Sequence, residues 1–159
     1  DVGGPTLGPG LDRAVEASGL YFQGRRWTIR TKGQGKYVHQ IRVNGKSISG
    51  TCKVPVEAIT GKTVVIEVTR GTKPLPLPQL LSADGAKLSK WKSGKKGFAV
   101  QIEAPGSIVV RFQASRKPSA KWQGKPVAIK YDKRSGVGEI LLASDKYQPF
   151  HGTLNVESV

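Results

Sequence analysis

KYVHQIRVNGKSI, running from Lys36 to Ile48, decides the fold class. In an extended chain Tyr37, His39, Ile41 and Val43 share one face, and Val38, Gln40 and Arg42 share the other. Alternation of this kind belongs to a half-buried strand, because successive side chains of a strand point to opposite sides. Asn44-Gly45 follows at once, and both residue types tolerate positive φ, so the pair predicts a tight hairpin turn. A hairpin of this type needs further strands to cover its apolar face.

Those strands can be read outward in both directions. In RRWTIRT (25–31) Trp27 and Ile29 alternate with Arg26, Thr28 and Arg30. In KTVVIEVTR (62–70) Val64, Ile66 and Val68 point inward, with Thr63, Val65, Glu67 and Thr69 outward. GFAVQIE (97–103) and SIVVRFQA (107–114) alternate as well, and KPVAIKY, GEILLAS and GTLNVES complete a set of about a dozen short strands of sandwich-like spacing. No stretch past residue 18 has a helical period. The predicted fold is all-β: an antiparallel β-sandwich, either jelly-roll-like or built as two small packed β subdomains.

DVGGPTLGPG (1–10) carries no hydrophobic period and reads as a linker, and LDRAVEAS (11–18) fits a short helical turn. The module proper is expected at 19–159, with possible halves at 19–72 and 79–159 joined by the proline-rich 73–78. Alternate prolines cannot donate to a sheet ladder, so GTKPLPLP (71–78) is an extended connector. LYFQG (20–24) matches the core recognised by a tag-removing protease. Its alternation continues into Arg25–Thr31, so it reads as native sequence: a first hairpin with Gly24 at its turn.

Charge is the strongest compositional signal. Lys and Arg number 26 against 11 Asp and Glu, a formal net charge of +15. The excess is +7 over residues 1–77 and +8 over 78–159, so it belongs to the folded surface and not to a basic tail. A field of this size concentrates polyanions. No apolar run approaches the ~20 residues of a membrane span, so no membrane partner is expected. The chain holds no Met, which reads as a piece of a longer protein. The single Cys52 admits no internal disulfide and is expected to fill space near a strand start.

Sites of known chemistry are sparse. Gly45-Lys46-Ser47 and Gly61-Lys62-Thr63 look like the end of a phosphate-binding loop. That loop needs a Gly five residues earlier, where Gln40 and Val56 stand, so the reading is rejected. His39 and His151 have no partner at metal-ligand spacing, and His39 is expected in the core. Nothing in the spacing of Glu103, Asp132 and Glu139 singles out a carboxylate pair, so neither a cofactor nor catalysis is expected.

What stands out is aromatic side chains set among cations, in KLSKWKSGKK (87–96) and RKPSAKWQGK (116–125). A ring flanked by Lys and Arg suits a sugar carrying sulfates or carboxylates, or a base and its phosphates. Guanidinium forks on outward strand positions add two-point contacts to such anions. The candidate ligand-binding residues are Trp91 with Lys90 and Lys92; Arg26, Arg30 and Arg42; Arg111; and Arg116, Lys121 and Trp122. Trp91 is the leading contact, because it is expected between lysines in a Ser/Gly/Lys loop with only Leu88 as an apolar neighbour. Trp27 and Trp122 occupy apolar strand positions and are expected to pack inward.

KYVHQIRVNGKSISGTCKVPVEAITGKTVVIEV (36–68) resembles the accessory β-sandwich domains of bacterial polysaccharide-degrading enzymes, and KWQGKPVAIKYDKRSGVGEILL (121–142) is similar in style. The resemblance implies a non-catalytic module, carbohydrate-binding or structural, from a secreted bacterial glycoside hydrolase or polysaccharide lyase. It brings no residue-level site. The charge sets this chain apart from modules for neutral glucans and points to an acidic polysaccharide. The sequence therefore leads to a monomeric module that holds a uronate-rich or sulfated glycan beside a parent catalytic domain. The alternatives are single-stranded nucleic acid or a purely structural role.

Overall fold

The hairpin at Asn44-Gly45 forms as its sequence requires. In the computed structural model, which describes residues 15–145 and 148–159, Val43 pairs with Lys46 across a turn whose two residues have φ of 48° and 82°. Five strands make the first sheet: β1 (Val15–Phe22), β2 (Arg25–Lys32), β3 (Tyr37–Val43), β4 (Lys46–Ile48) and β5 (Thr63–Gly71). Their order is β1-β2-β5-β3-β4. All pairs are antiparallel except β2 with β5, which run parallel because the β3–β4 excursion and a short 3-10 turn, Val56–Ala58, lie between them in sequence.

The chain continues as β6 (Gln79–Ala83), β7 (Lys87–Ser93), β8 (Gly97–Ala104), β9 (Ile108–Gln113), β10 (Ser119–Trp122), β11 (Lys125–Pro126), β12 (Lys130–Asp132), β13 (Val137–Leu142) and β14 (Phe150–Glu157). A second sheet has the order β12-β13-β9-β6 and a third the order β11-β10-β14-β8-β7. The fold is all-β, in three mostly antiparallel sheets, none closed into a barrel. Among the described residues there is no α-helix.

Two separate apolar clusters hold these layers. Alternate residues of the second and third sheets, among them Leu80, Val100, Ile102, Val110, Phe112, Ile140 and Leu154, meet in one core with no exposure. Val64, Ile66 and Val68 meet Val38, Ile41, Val43 and Cys52 in the other. The two are joined at Leu80, whose N–H donates to Gly50 O and whose carbonyl accepts from Cys52 N–H. The buried Gln79 amide donates to Val38 O, and Leu81 packs into the smaller cluster. Thr72 to Pro78 form the irregular connector.

Three sequence expectations change. Strand β1 begins at Val15, so residues 15–18 are extended and not part of a helical turn; the rest of the expected linker, 1–14, lies outside the described residues. His39 is the extra residue of a β-bulge, where the β3–β5 register slips between Val38 and Gln40. The bulge reverses the phase of the strand, so Val38, not His39 or Tyr37, joins Ile41 and Val43 in the core. The His39 ring is half-buried, covers Gly71, and places Nε2 2.7 Å from Lys73 O. Trp91 lies within β7 and not in a loop, and it has an aromatic neighbour, Phe98.

Candidate functional site

Parallel pairing of β2 and β5 places the starts of both strands side by side, and β3, running the other way, ends beside them. Three glycine-plus-cation steps therefore meet at one end of the first sheet: Gly24-Arg25-Arg26, Gly45-Lys46-Ser47 and Gly61-Lys62-Thr63. Arg25 Nε donates to Gly61 O at 2.9 Å, and Arg26 N–H donates to Lys62 O at 2.8 Å. Asn44 ties the other two steps together. Its Nδ2 donates to Thr60 O and Thr63 O, both at 3.3 Å, and its Oδ1 accepts Val65 N–H at 2.8 Å.

The result is a rim of four cations, Arg25, Arg26, Lys46 and Lys62, whose backbone steps these hydrogen bonds align and of which the Arg25 guanidinium is itself tied down. Among the described residues three ion pairs form, Arg30–Glu16, Lys87–Glu103 and Arg111–Glu139, and none involves this rim. Beside it Tyr21 and Phe22 are 77% and 62% exposed, and Tyr21 stands in register with Arg26. The Trp27 indole N–H holds the Phe22 carbonyl at 3.0 Å, which anchors the aromatic pair to the sheet. Exposed rings next to unneutralised cations can stack on an apolar ring face while the cations hold its anionic substituents.

Trp91 makes a second feature. In β7 two residues, Lys90 and Trp91, oppose Val100 alone, because the register slips between Ser89 and Lys92. Simple alternation from the buried Leu88 would send Lys90 inward. The bulge, with Lys90 at φ 50°, turns the lysine out and seats the indole against the core edge. There the indole stacks on Phe98, with centroids 5.0 Å apart and planes at 22°. Its Nε1 donates to Ser49 O at 2.9 Å, its amide donates to Glu57 Oε1 at 2.9 Å, and Ser49 and Ser93 share a hydroxyl hydrogen bond of 2.7 Å. An open cleft of about 260 Å³ lies between the edge strands β4 and β7, lined by Ile48, Pro55, Glu57, Trp91 and three serines.

The other sequence candidates are dispersed. Arg30 and Arg42 lie on the outer face of the first sheet in one row, Glu16–Arg30–Glu67–Arg42–Ser47, where carboxylates alternate with them. Arg111 is on the outer face of the second sheet, engaged by Glu139 at 2.9 Å. That hydrogen bond raises the Arg111 pKa and lowers that of Glu139. Arg116 is exposed in the β9–β10 loop. Lys121 and Lys92 share one row of the third sheet, Pro126–Lys121–Asn155–Ala99–Lys92, with Asn155 and Ala99 between them. Trp122 packs edge-on against Phe150 and covers Gly152. Of the ten, only Arg26 belongs to the rim.

Arg25, Lys46, Lys62, Tyr21 and Phe22 were missed from sequence. Their signal was present in the two Gly-Lys-Ser/Thr steps, which fail as a phosphate loop in sequence yet converge in space. Elsewhere, burial pushes the Cys52 thiol up to about 11 and lowers the Lys53 pKa. Lys53 Nζ donates to Ala83 O at 2.7 Å. Among the described residues no group of His, Cys, Asp and Glu is arranged to hold a metal ion. No family model matches this chain, and no curated protein or solved structure matches it.

Proposed function

We propose that this chain is a non-catalytic module that holds an anionic polysaccharide, uronate-rich or sulfated, at the cationic rim of the first sheet. The observation that carries the reading is the convergence of Arg25, Arg26, Lys46 and Lys62, none in an ion pair among the described residues, beside the exposed rings of Tyr21 and Phe22. Net charge of +15 supplies the long-range attraction, and the rim supplies fixed contacts. Attached to a polysaccharide-degrading enzyme outside the cell, such a module would keep the catalytic domain on its polymer.

A sheet that binds single-stranded nucleic acid displays successive rings along one face for base stacking. Among the described residues Trp27, Trp91, Trp122, Tyr131 and Phe150 pack against the two cores, which leaves the Tyr21-Phe22 step and, at the opposite end of the first sheet, Tyr37 under Lys36, with no run of rings along one face. The glycan reading is the better fit.

Affinity electrophoresis in gels containing alginate, pectate or a sulfated galactan, with dextran as the neutral control, tests it. Retardation by at least one acidic polymer is expected, weakening as salt rises, because exposed charges are screened over about 8–10 Å at ordinary ionic strength. A Lys46→Gln, Lys62→Gln double variant should lose most of the retardation, while Arg111→Gln should not. Migration unaffected by every acidic glycan, or tight oligonucleotide binding without glycan binding, would sink the reading.

A further inference from the structure

We infer that the free edge of β1 is a self-pairing surface through which two copies of this chain join their first sheets. The three sheets have six edge strands. Open edges invite pairing with other chains, and proteins blunt them with lysine, proline, bulges or a covering segment. β4 carries Lys46, β12 carries Lys130, β11 carries Lys125-Pro126, and β7 carries Lys87, Lys90 and Lys92. β6 is covered at Leu80 by the 50–52 segment. Among the described residues β1 is the one edge strand with neither lysine, proline nor a cover; its single blunting device is the bulge at Ser18-Gly19, and all eight of its residues are exposed. Its one charge, Glu16, is already engaged by Arg30 at 2.8 Å.

The strand also matches itself. Val15, Ala17 and Leu20 pair with Thr31, Ile29 and Trp27, so they share the inner face of the sheet, and Phe22 continues it; Glu16 and Tyr21 share the outer face. The slip between Ala17 and Leu20 keeps that face continuous across Ser18-Gly19. Read from either end about Ser18-Gly19, the pattern is the same. An antiparallel two-fold pairing therefore sets Val15 against Phe22, Ala17 against Leu20 and Glu16 against Tyr21. No like charges meet, and Glu16 of each copy comes one strand away from Arg26 of the other.

Val15, Leu20, Tyr21 and Phe22 are 37%, 46%, 77% and 62% exposed. They offer on the order of 500 Å² per copy, so two copies reach roughly the 1,000 Å² lower limit of a specific interface. Pairing at that limit gives a reversible dimer in place of the monomer expected from sequence. Each copy carries +15, so salt should strengthen the dimer by screening repulsion. Tyr21 and Phe22 serve both surfaces, so dimer and polyanion compete for them; salt weakens polyanion binding and favours the dimer, which tells the two processes apart.

Sedimentation velocity between about 1 and 200 µM, with and without added salt, tests the inference. A monomer–dimer equilibrium is expected, tightening with salt. Leu20→Lys, at an exposed position, should weaken it at least tenfold with an unchanged melting temperature. Ser18→Cys should give a covalent dimer on mild oxidation, since the only other thiol, Cys52, is buried. If Leu20→Lys disturbs folding, the Ser18→Cys cross-link decides. A monomer at every concentration overturns the inference, whatever the glycan gels show. So does a dimer that is indifferent to Leu20→Lys and fails to cross-link through Ser18→Cys.

Discussion

Replacing Gly138 by alanine tests the packing of the larger core at its tightest point. Gly138 pairs with Phe112 across β13 and β9, and the Phe112 ring lies over it with no exposure to solvent. A Cβ built at Gly138 would stand 2.0 Å from the ring Cζ, 2.4 Å from Cε2 and 2.8 Å from Cε1. Carbon atoms rest at about 3.5–4.0 Å, so the ring would have to withdraw by roughly 1.5 Å. Leu80, Val110 and Ile140, all fully buried, share the cluster that holds the ring and leave it little room to move. Overpacking of this kind costs about 1–3 kcal/mol, and a rigid, fully enclosed ring belongs at the upper end. Gly138 does not have positive φ, so alanine meets no backbone strain and recovers about 0.5 kcal/mol from the restricted unfolded chain. A net loss of about 2–3 kcal/mol follows. Urea unfolding should show it as a midpoint lowered by about 1 M or more at unchanged slope. Adding Phe112→Leu makes room for the new methyl, so the double variant should be more stable than the sum of the single losses predicts, by about 1 kcal/mol or more. A Gly138→Ala protein within about 0.5 kcal/mol of the wild type would refute the packing argument.

Three further outcomes are expected. Trp91→Phe keeps the stack on Phe98 and loses the indole hydrogen bond to Ser49, costing about 1 kcal/mol, whereas Trp91→Ala loses both and costs about 2–3 kcal/mol. Equal urea midpoints for the two variants would contradict that assignment. Asn44→Gly keeps the left-handed turn but loses the three side-chain hydrogen bonds that align the Lys46 and Lys62 steps, costing about 1–2 kcal/mol; Asn44→Ala adds about 1 kcal/mol of backbone strain. Acidic-glycan retardation should drop in both although no charge is removed, and full retention would remove Asn44 from the positioning role. Cys52, with its pKa raised from 9.0 to about 11 by burial, stays protonated in the folded state where an exposed thiol ionises. Its contribution is therefore complete below about pH 9 and is lost as pH rises towards 11. Cys52→Ala should flatten that alkaline fall in urea midpoint, and iodoacetamide at neutral pH should label wild-type Cys52 only on unfolding.

Local chemistry carried much of this fold. Alternation in residues 62–70 and 97–114 and the Asn44-Gly45 pair determined strands, inward faces and one turn, because side-chain period and positive φ are properties of a few adjacent residues. The burial of Cys52 and the connector at 73–78 were legible for the same reason. Register was not. At His39 and at Lys90-Trp91 one extra residue reverses the phase, and only the partner strands Thr63–Gly71 and Gly97–Ala104 show where the slip falls. Ion pairing was equally hidden: Arg30 and Arg111 read as free cations until Glu16 and Glu139 were brought across from neighbouring strands.

The cationic rim shows the division most clearly. Sequence alone determined that this protein is a strongly basic set of hairpins with glycine-lysine turns. That Arg25, Lys46 and Lys62 share one end, with Tyr21 and Phe22 beside them, depends on β2 and β5 running parallel although residues 33–62 lie between them in the chain. Strand pairing at that separation is settled by burying Val64, Ile66 and Val68 between two neighbours, a tertiary event that no local pattern encodes.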